Sequence, residues 1–185
     1  PLPSGDKKWV YTEWSKKTIG SVTTYTTSKI PNSNYFNGNV FQIVVSNDKG
    51  EPISTGSGFI INKDGWFITN HHVMENAYSA KIQISDTKEI YDVIGVYDYS
   101  KKKDWAVIKV DCTNNKYLNT GDEATIVGAS NVYTIGSPLG LQNTISQGLI
   151  SNPERIVNSI SYMQISAAIS NGSSGGALLN KYGDV

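Results

Sequence analysis

Cysteine is nearly missing from this 185-residue chain: Cys112 stands alone. A single thiol excludes an intramolecular disulfide. With only two histidines beside it, His71 and His72, it also makes a poor zinc set, and there is no CxxC pair. Neither sign of charge is in excess, with 16 basic against 16 acidic residues, so nothing marks a general polyanion binder. Lys101-Lys102-Lys103 and the pairs Lys7-Lys8 and Lys16-Lys17 read as solvated loop charge. No apolar run approaches the roughly 20 residues that a membrane span needs. A helical apolar stripe over any long segment is missing too. The chain opens on Pro1 without a signal-peptide pattern, so it reads as a mature or trimmed product.

What is present is a series of strand signals. "VFQIVVS" (40–46) is a β-branched apolar run closed by the turn "NDKG". "GSGFIIN" (56–62), "KDG" (63–65) and "WFITN" (66–70) read as a hairpin, with Asp64-Gly65 supplying the turn. "AKIQIS" (80–85), "TKEIYDVIGVYD" (87–98) and "WAVIKVD" (105–111) follow, then "EATIVG", "NVYTIG", "NTISQGLIS" and "SYMQIS". Many short strands between Gly, Asn and Asp turns predict an all-β barrel or sandwich. The polar stretch "DCTNNKYLNTGD" (111–122) is the best candidate linker. It divides a first β-barrel, residues 35–118, from a second unit, residues 119–185. Residues 1–34, with Trp9, Tyr11, Trp14 and a Thr-rich run, read as an N-terminal arm or extra strand.

One stretch invites chemistry. In "SNGSSGGALL" (170–179), Asn171-Gly172 and Gly175-Gly176 bracket two serines. Glycine steps let the backbone turn sharply and expose a side chain. They also let successive N–H groups converge on one point, as an oxyanion site requires. A serine hydroxyl is a weak nucleophile and needs a base within hydrogen-bond reach, itself oriented by an acceptor. The candidate imidazoles are His71 and His72, neighbours on a segment read as extended, which points them to opposite faces. Among the carboxylates, Asp104 stands out because it opens the buried-looking run "DWAVIKV", where an unpaired charge is costly. The bland alternatives are a flexible Ser-Gly loop and a surface turn residue after three lysines.

Taken together these elements run His, Asp, Ser, the chymotrypsin-like order. "GSGFIINKDGWFITNHHV" resembles the histidine-bearing hairpin of bacterial trypsin-like proteases, especially the HtrA (Deg) family. "DWAVIKV" resembles that family's aspartate strand, "TIGSPLGLQNTISQGLIS" its Gly-Asn-Pro-x-Gly loop and following strand, and "SYMQISAAISNGSSGGALLN" its nucleophile segment. The resemblance runs from about Asn39 to Val185. It implies two six-stranded antiparallel β-barrels and serine endopeptidase activity through an acyl-enzyme, with no cofactor and no metal. It makes His72, which directly precedes Val73, the base. Asp104 becomes its orienter, Ser174 the nucleophile, and the N–H groups of Gly172 and Ser174 the oxyanion hole. Ala168, six residues before Ser174, falls at the base of the primary substrate pocket with Ala167 and Ile169 beside it. No acid stands there to hold Arg or Lys, so a small or medium apolar side chain is expected at the cleavage site.

There are departures from the family pattern. Ser173 stands where Asn is usual, Asn171 where Pro is common, Ser166 where Asp is usual, Ser137 for Asn and Trp105 for Leu. The chain also stops eleven residues after Ser174, so the second barrel is expected to be incomplete. A remaining C-terminal segment of the same protein would complete it. The implied partner is a protein or peptide substrate, with no nucleic acid and no membrane span. The aromatic N-terminal residues leave a trimer open. An extracytoplasmic or secreted bacterial setting fits the lack of disulfides. Three other readings remain. A glutamyl endopeptidase shares the "GSG…TNxHV" hairpin but has Gly-Ser-Pro after its Ser. A catalytically impaired, protease-like binding domain would suit the changed loop residues. A cysteine hydrolase using Cys112 lacks oxyanion glycines around "VDCTNN".

Overall fold

The computed structural model describes residues 38–112, 116–137 and 144–185. The N-terminal arm, with Trp9, Tyr11 and Trp14, and the "PLGLQN" part of the 134–151 loop lie outside the described residues.

Six strands close into an antiparallel barrel in the order β1-β2-β3-β6-β5-β4. They are β1 (Val40–Ser46), β2 (Pro52–Ile60), β3 (Trp66–Thr69), β4 (Ser79–Ile84), β5 (Ile90–Ser100) and β6 (Trp105–Val110). A single helical turn, α1 (His71–Met74), follows β3. Four more strands form a curled sheet in the order β10-β7-β8-β9. These are β7 (Asn131–Gly136), β8 (Thr144–Val157), β9 (Ile160–Ile165) and β10 (Ala177–Leu179). The fold is all-β and chymotrypsin-like, a closed six-stranded barrel joined to a half-barrel.

Alternation along the strands builds two cores. Phe41, Ile43, Val45, Ile60, Phe67, Ile82 and Ile108 point into the barrel. Their neighbours Val40, Phe59, Ile61, Ile68 and Val107 point outward, where they meet Tyr133, Ile135, Ala177 and Leu179 of the second sheet. Strands buried on both faces lose the polar alternation of a half-exposed sheet, which is why "FII" and "WAVI" read as continuous apolar runs. Each fully buried Phe or Ile contributes roughly 1.5–3 kcal/mol. Leu118 lies inside the sequence-predicted linker but is buried in the second core, and its N–H donates to Ile60 O at 3.0 Å.

The turn at Lys63–Gly65 forms as expected: Gly65 has φ +77°, and Asn62 Oδ1 accepts from Asp64 N–H at 2.9 Å. The β8–β9 hairpin turns at Asn158-Ser159, both with positive φ, as a two-residue hairpin turn demands. One strand expectation fails. "EATIVG" (123–128) holds a 3-10 turn at Glu123–Thr125 and no strand. Asp122 accepts from Ala124 N–H at 2.9 Å, and the exposed Ile126 and Val127 have no buried face to join.

Candidate active site

The end of β3 sets the position of His72. Thr69 is buried and its hydroxyl donates to Ser57 O of β2 at 2.7 Å. The chain then enters α1, whose Val73 and Met74 plug the barrel end and leave the two histidines outside. The extended reading of the His71-His72 segment is therefore corrected: the strand stops at Thr69, because the helical turn buries Val73 and Met74 together. His71 and His72 are not on opposite faces of a strand, and their surroundings differ. The His71 ring packs on Tyr99, with centroids 5.1 Å apart and planes at 30°. His72 faces Asp104.

Asp104 sits in the turn before β6 with φ +56°. Its carboxylate accepts twice from one residue. Oδ1 takes the His72 backbone N–H at 2.8 Å and Oδ2 lies 2.7 Å from His72 Nδ1. A carboxylate only accepts, so Nδ1 carries the hydrogen and Nε2 of a neutral ring keeps its lone pair. Asn70 Nδ2–H donates to Asp104 O at 2.6 Å and fixes the other end of the residue. Both side chains stay partly exposed, His72 at 52% and Asp104 at 42%, so water still reaches this pair. Nearby, Lys101 Nζ binds Glu75 Oε1 at 2.7 Å. That hydrogen bond holds the Glu75 carboxyl below its ordinary range and the Lys101 ammonium above its own. The triple-lysine cation nearest α1 is thus spoken for.

The serine loop comes from the other sheet. Gly172 (φ +89°) and Gly175 (φ +83°) occupy left-handed conformations that suit glycine. Two turns overlap there: Ser173 N–H donates to Ser170 O at 3.0 Å, and Gly176 N–H to Ser173 O at 2.9 Å. A Cβ on Gly175 would collide with Ser57 O and Thr69 Oγ1. The loop is therefore pressed against the strand end that leads into α1. Ser174 O accepts from Ser57 N–H at 2.8 Å. A Cβ on Gly56 would fall 2.8 Å from a Val73 methyl and 3.0 Å from Ser174 O, which places the Ser174 backbone beside α1. Among the described residues no hydrogen bond joins the Ser174 hydroxyl to the His72 ring. Such bonds are often long before substrate binds.

In a trans peptide the C=O and N–H point opposite ways. Ser173 O is held by Gly176 N–H, so the Ser174 N–H is turned away from that bond. Of the residues expected at the substrate pocket, Ala167 is buried over Gly148, while Ala168 and Ile169 are exposed, Ile169 at 74%. Ser166 ties into β8, its Oγ accepting from Leu149 N–H at 2.9 Å. Cys112 is half-buried against the barrel core, and that burial pushes its thiol up, a poor setting for a nucleophile. Among the described residues no three His, Cys, Asp or Glu side chains cluster as metal ligands.

Comparison with known proteins fits this layout. The family described as trypsin-like peptidase domain matches residues 56–185. The chain belongs to the trypsin-like peptidase family. It is 36% identical over 138 residues to a probable periplasmic serine endoprotease DegP-like of Hahella chejuensis, covering 73% of this chain and 29% of the relative. It is 36% identical over 141 residues to serine protease HTRA1B of Danio rerio, covering 72% and 29%. It is 33% identical over 144 residues to serine protease HTRA2, mitochondrial, of Drosophila grimshawi, covering 73% and 34%. The chain thus spans about a third or less of the length of these relatives. The resemblance to HtrA proteases read from the motifs is borne out.

Two residues of the site carry no signal in the motifs: Ser57, which bonds to the serine loop, and Asn70, which holds the Asp104 backbone. Each acts through a partner distant in sequence. The pairing of β3 with β6 brings Asn70 beside Asp104, and the docking of the serine loop on β2 brings Gly172 to Ser57.

Proposed function

We propose that this chain is the catalytic domain of a serine endopeptidase. One observation carries the reading: Asp104 accepts both the ring and the backbone hydrogen of His72, beside a glycine-flanked serine clamped to the same strand end. In this mechanism Nε2 of His72 takes the Ser174 proton as Oγ attacks the peptide carbonyl. Asp104 holds the imidazole in its tautomer and stabilises the imidazolium. The developing oxyanion is received by the N–H groups of Gly172 and Ser174. The leaving amine takes its proton from His72, and water then hydrolyses the acyl-enzyme by the same route.

Ala168 and Ile169 form the floor of the substrate pocket, which favours a small or medium apolar side chain. A peptide library dominated by Arg, Lys or Glu would exclude that preference. The first barrel spans residues 35–118 and the second unit 119–185. The order β10-β7-β8-β9 repeats the first barrel's order with two strands absent between β9 and β10, and a C-terminal continuation of the protein would supply them. An extracytoplasmic location draws support from the name of the periplasmic DegP-like relative, and assembly as a trimer belongs to the same reading.

The test is covalent labelling with a fluorophosphonate probe. Wild-type chain should label and Ser174→Ala should not. Labelling that survives the substitution would refute the nucleophile. A properly folded wild-type chain that never labels would favour a binding role.

A further inference from the structure

Ser57 lies outside the proposed triad but touches both the strand end that leads to His72 and the loop that carries Ser174. It sits in β2, opposite Gln42 of β1, and is fully buried. Its hydroxyl donates to Gly172 O at 2.6 Å and accepts from Ser137 N–H at 2.7 Å. Its own N–H donates to Ser174 O at 2.8 Å, and its carbonyl accepts from the Thr69 hydroxyl at 2.7 Å. One residue thus joins the histidine hairpin, the end of β7 and the serine loop.

The direction of these bonds is fixed by chemistry. A backbone N–H can only donate, so Ser137 takes a lone pair of Oγ. A carbonyl can only accept, so the single hydroxyl hydrogen must go to Gly172 O. The hydroxyl is fully engaged and is not itself a spare nucleophile. Its effect falls on the Gly172-Ser173 peptide. The C=O of that peptide is held by Ser57 and its N–H by Ser170 O at 3.0 Å, so both ends of the plane are pinned. The next carbonyl is held by Gly176 N–H and the one after by the Ser57 N–H. Three consecutive peptide planes around Ser174 are thereby set, two of them by Ser57.

We infer that Ser57 is a positioning residue for the reaction proposed above: through the Gly172 and Ser174 carbonyls it holds the serine loop in the geometry that presents the Ser174 hydroxyl and N–H to the substrate carbonyl. This inference rests on the serine-peptidase reading. Without the hydroxyl, Gly172 O and Ser137 N–H lose a buried partner, and the peptide between Gly172 and Ser173 is held at its N–H end alone.

The experiment compares full chains carrying Ser57→Ala and Ser174→Ala with wild type, by fluorophosphonate labelling rate and by steady-state hydrolysis of a peptide substrate. Thermal unfolding shows which variants are folded at the assay temperature. Losing one oxyanion donor costs about 100- to 1,000-fold in kcat, and a displaced donor should cost about 10- to 100-fold. Ser57→Ala should therefore lower kcat and the labelling rate by about 10- to 100-fold at nearly unchanged KM. If Ser57→Ala folds poorly, Ser57→Cys keeps the side-chain bulk, offers only a weak donor, and should show the same kcat loss. A folded variant with wild-type kcat and labelling, or with a raised KM alone, overturns the inference. Wild-type chain that labels independently of Ser174 overturns the peptidase reading itself, a result separate from any effect at position 57.

Discussion

Asp104→Asn isolates the orienting role from the fold. In the native arrangement both carboxylate oxygens are used, one by the His72 N–H and one by Nδ1–H. Asparagine offers one acceptor and one donor. If its oxygen keeps the backbone N–H, its NH2 faces Nδ1 and forces that nitrogen to accept. The ring hydrogen then moves to Nε2, and the atom that should take the Ser174 proton has no lone pair. The reverse flip sets the NH2 against the His72 N–H, donor against donor. The side chain keeps its size, and the pair is partly exposed, so the fold should change little: the unfolding midpoint should stay close to wild type. Loss of the orienting carboxylate in a triad of this kind costs on the order of 10⁴ in kcat. At about 1.4 kcal/mol per factor of ten, that is about 5–6 kcal/mol of transition-state stabilisation. The assay is hydrolysis of a peptide substrate under saturating conditions, with enzyme active sites counted by fluorophosphonate titration. A folded Asp104→Asn chain retaining more than a tenth of wild-type kcat would refute the assignment of Asp104 as orienter.

The two histidines should separate cleanly. His72→Ala should lower kcat by several orders of magnitude, while His71→Ala, which loses only the contact with Tyr99, should keep activity and give up about 0.5–1.5 kcal/mol of stability in chemical denaturation. Gly58→Ala should act on the fold, since its Cβ would overlap the Phe41 ring and the Ile68 carbonyl inside the barrel. About 3 kcal/mol of overpacking would lower the unfolding midpoint by about 6–12 °C in calorimetry. Burial lifts the Asp184 carboxyl above the ordinary range, against a smaller opposing pull from its hydrogen bond with Asn180. The folded chain then holds a proton that the unfolded chain releases, so this contribution is full below about pH 4 and is lost as pH rises through the folded value. Asp184→Asn should raise the unfolding midpoint at neutral pH and leave it unchanged in acid; an equal effect at both would exclude that linkage.

Much of the fold was legible because the strands alternate or are doubly buried. "VFQIVVS" became β1 without a shift of either end, and the Asp64-Gly65 turn formed where its residues demanded. The failures have local causes. "EATIVG" has strand-forming residues, but Asp122 competes for the backbone, and nothing buries Ile126 or Val127. "HHVM" carries no helical signal over four residues; it turns because Val73 and Met74 must both reach the barrel end. In the site, the pairing of His72 with Asp104 was approachable through motif order. The bond from Ser57 to Gly172 was not, since no periodicity or spacing links residues 115 apart.

That separation along the chain also sets an order of assembly. His72 and Asp104 lie only 32 residues apart in one closed barrel, whereas Gly172, the partner of Ser57, comes about 70 residues after Asp104. At about 5–20 residues per second of synthesis, the gap lasts about 3–14 seconds. During it the barrel can pair His72 with Asp104 while the serine loop is still to be made. Under the proposed mechanism, a growing chain therefore cannot attack a peptide bond before its serine loop has docked on Ser57.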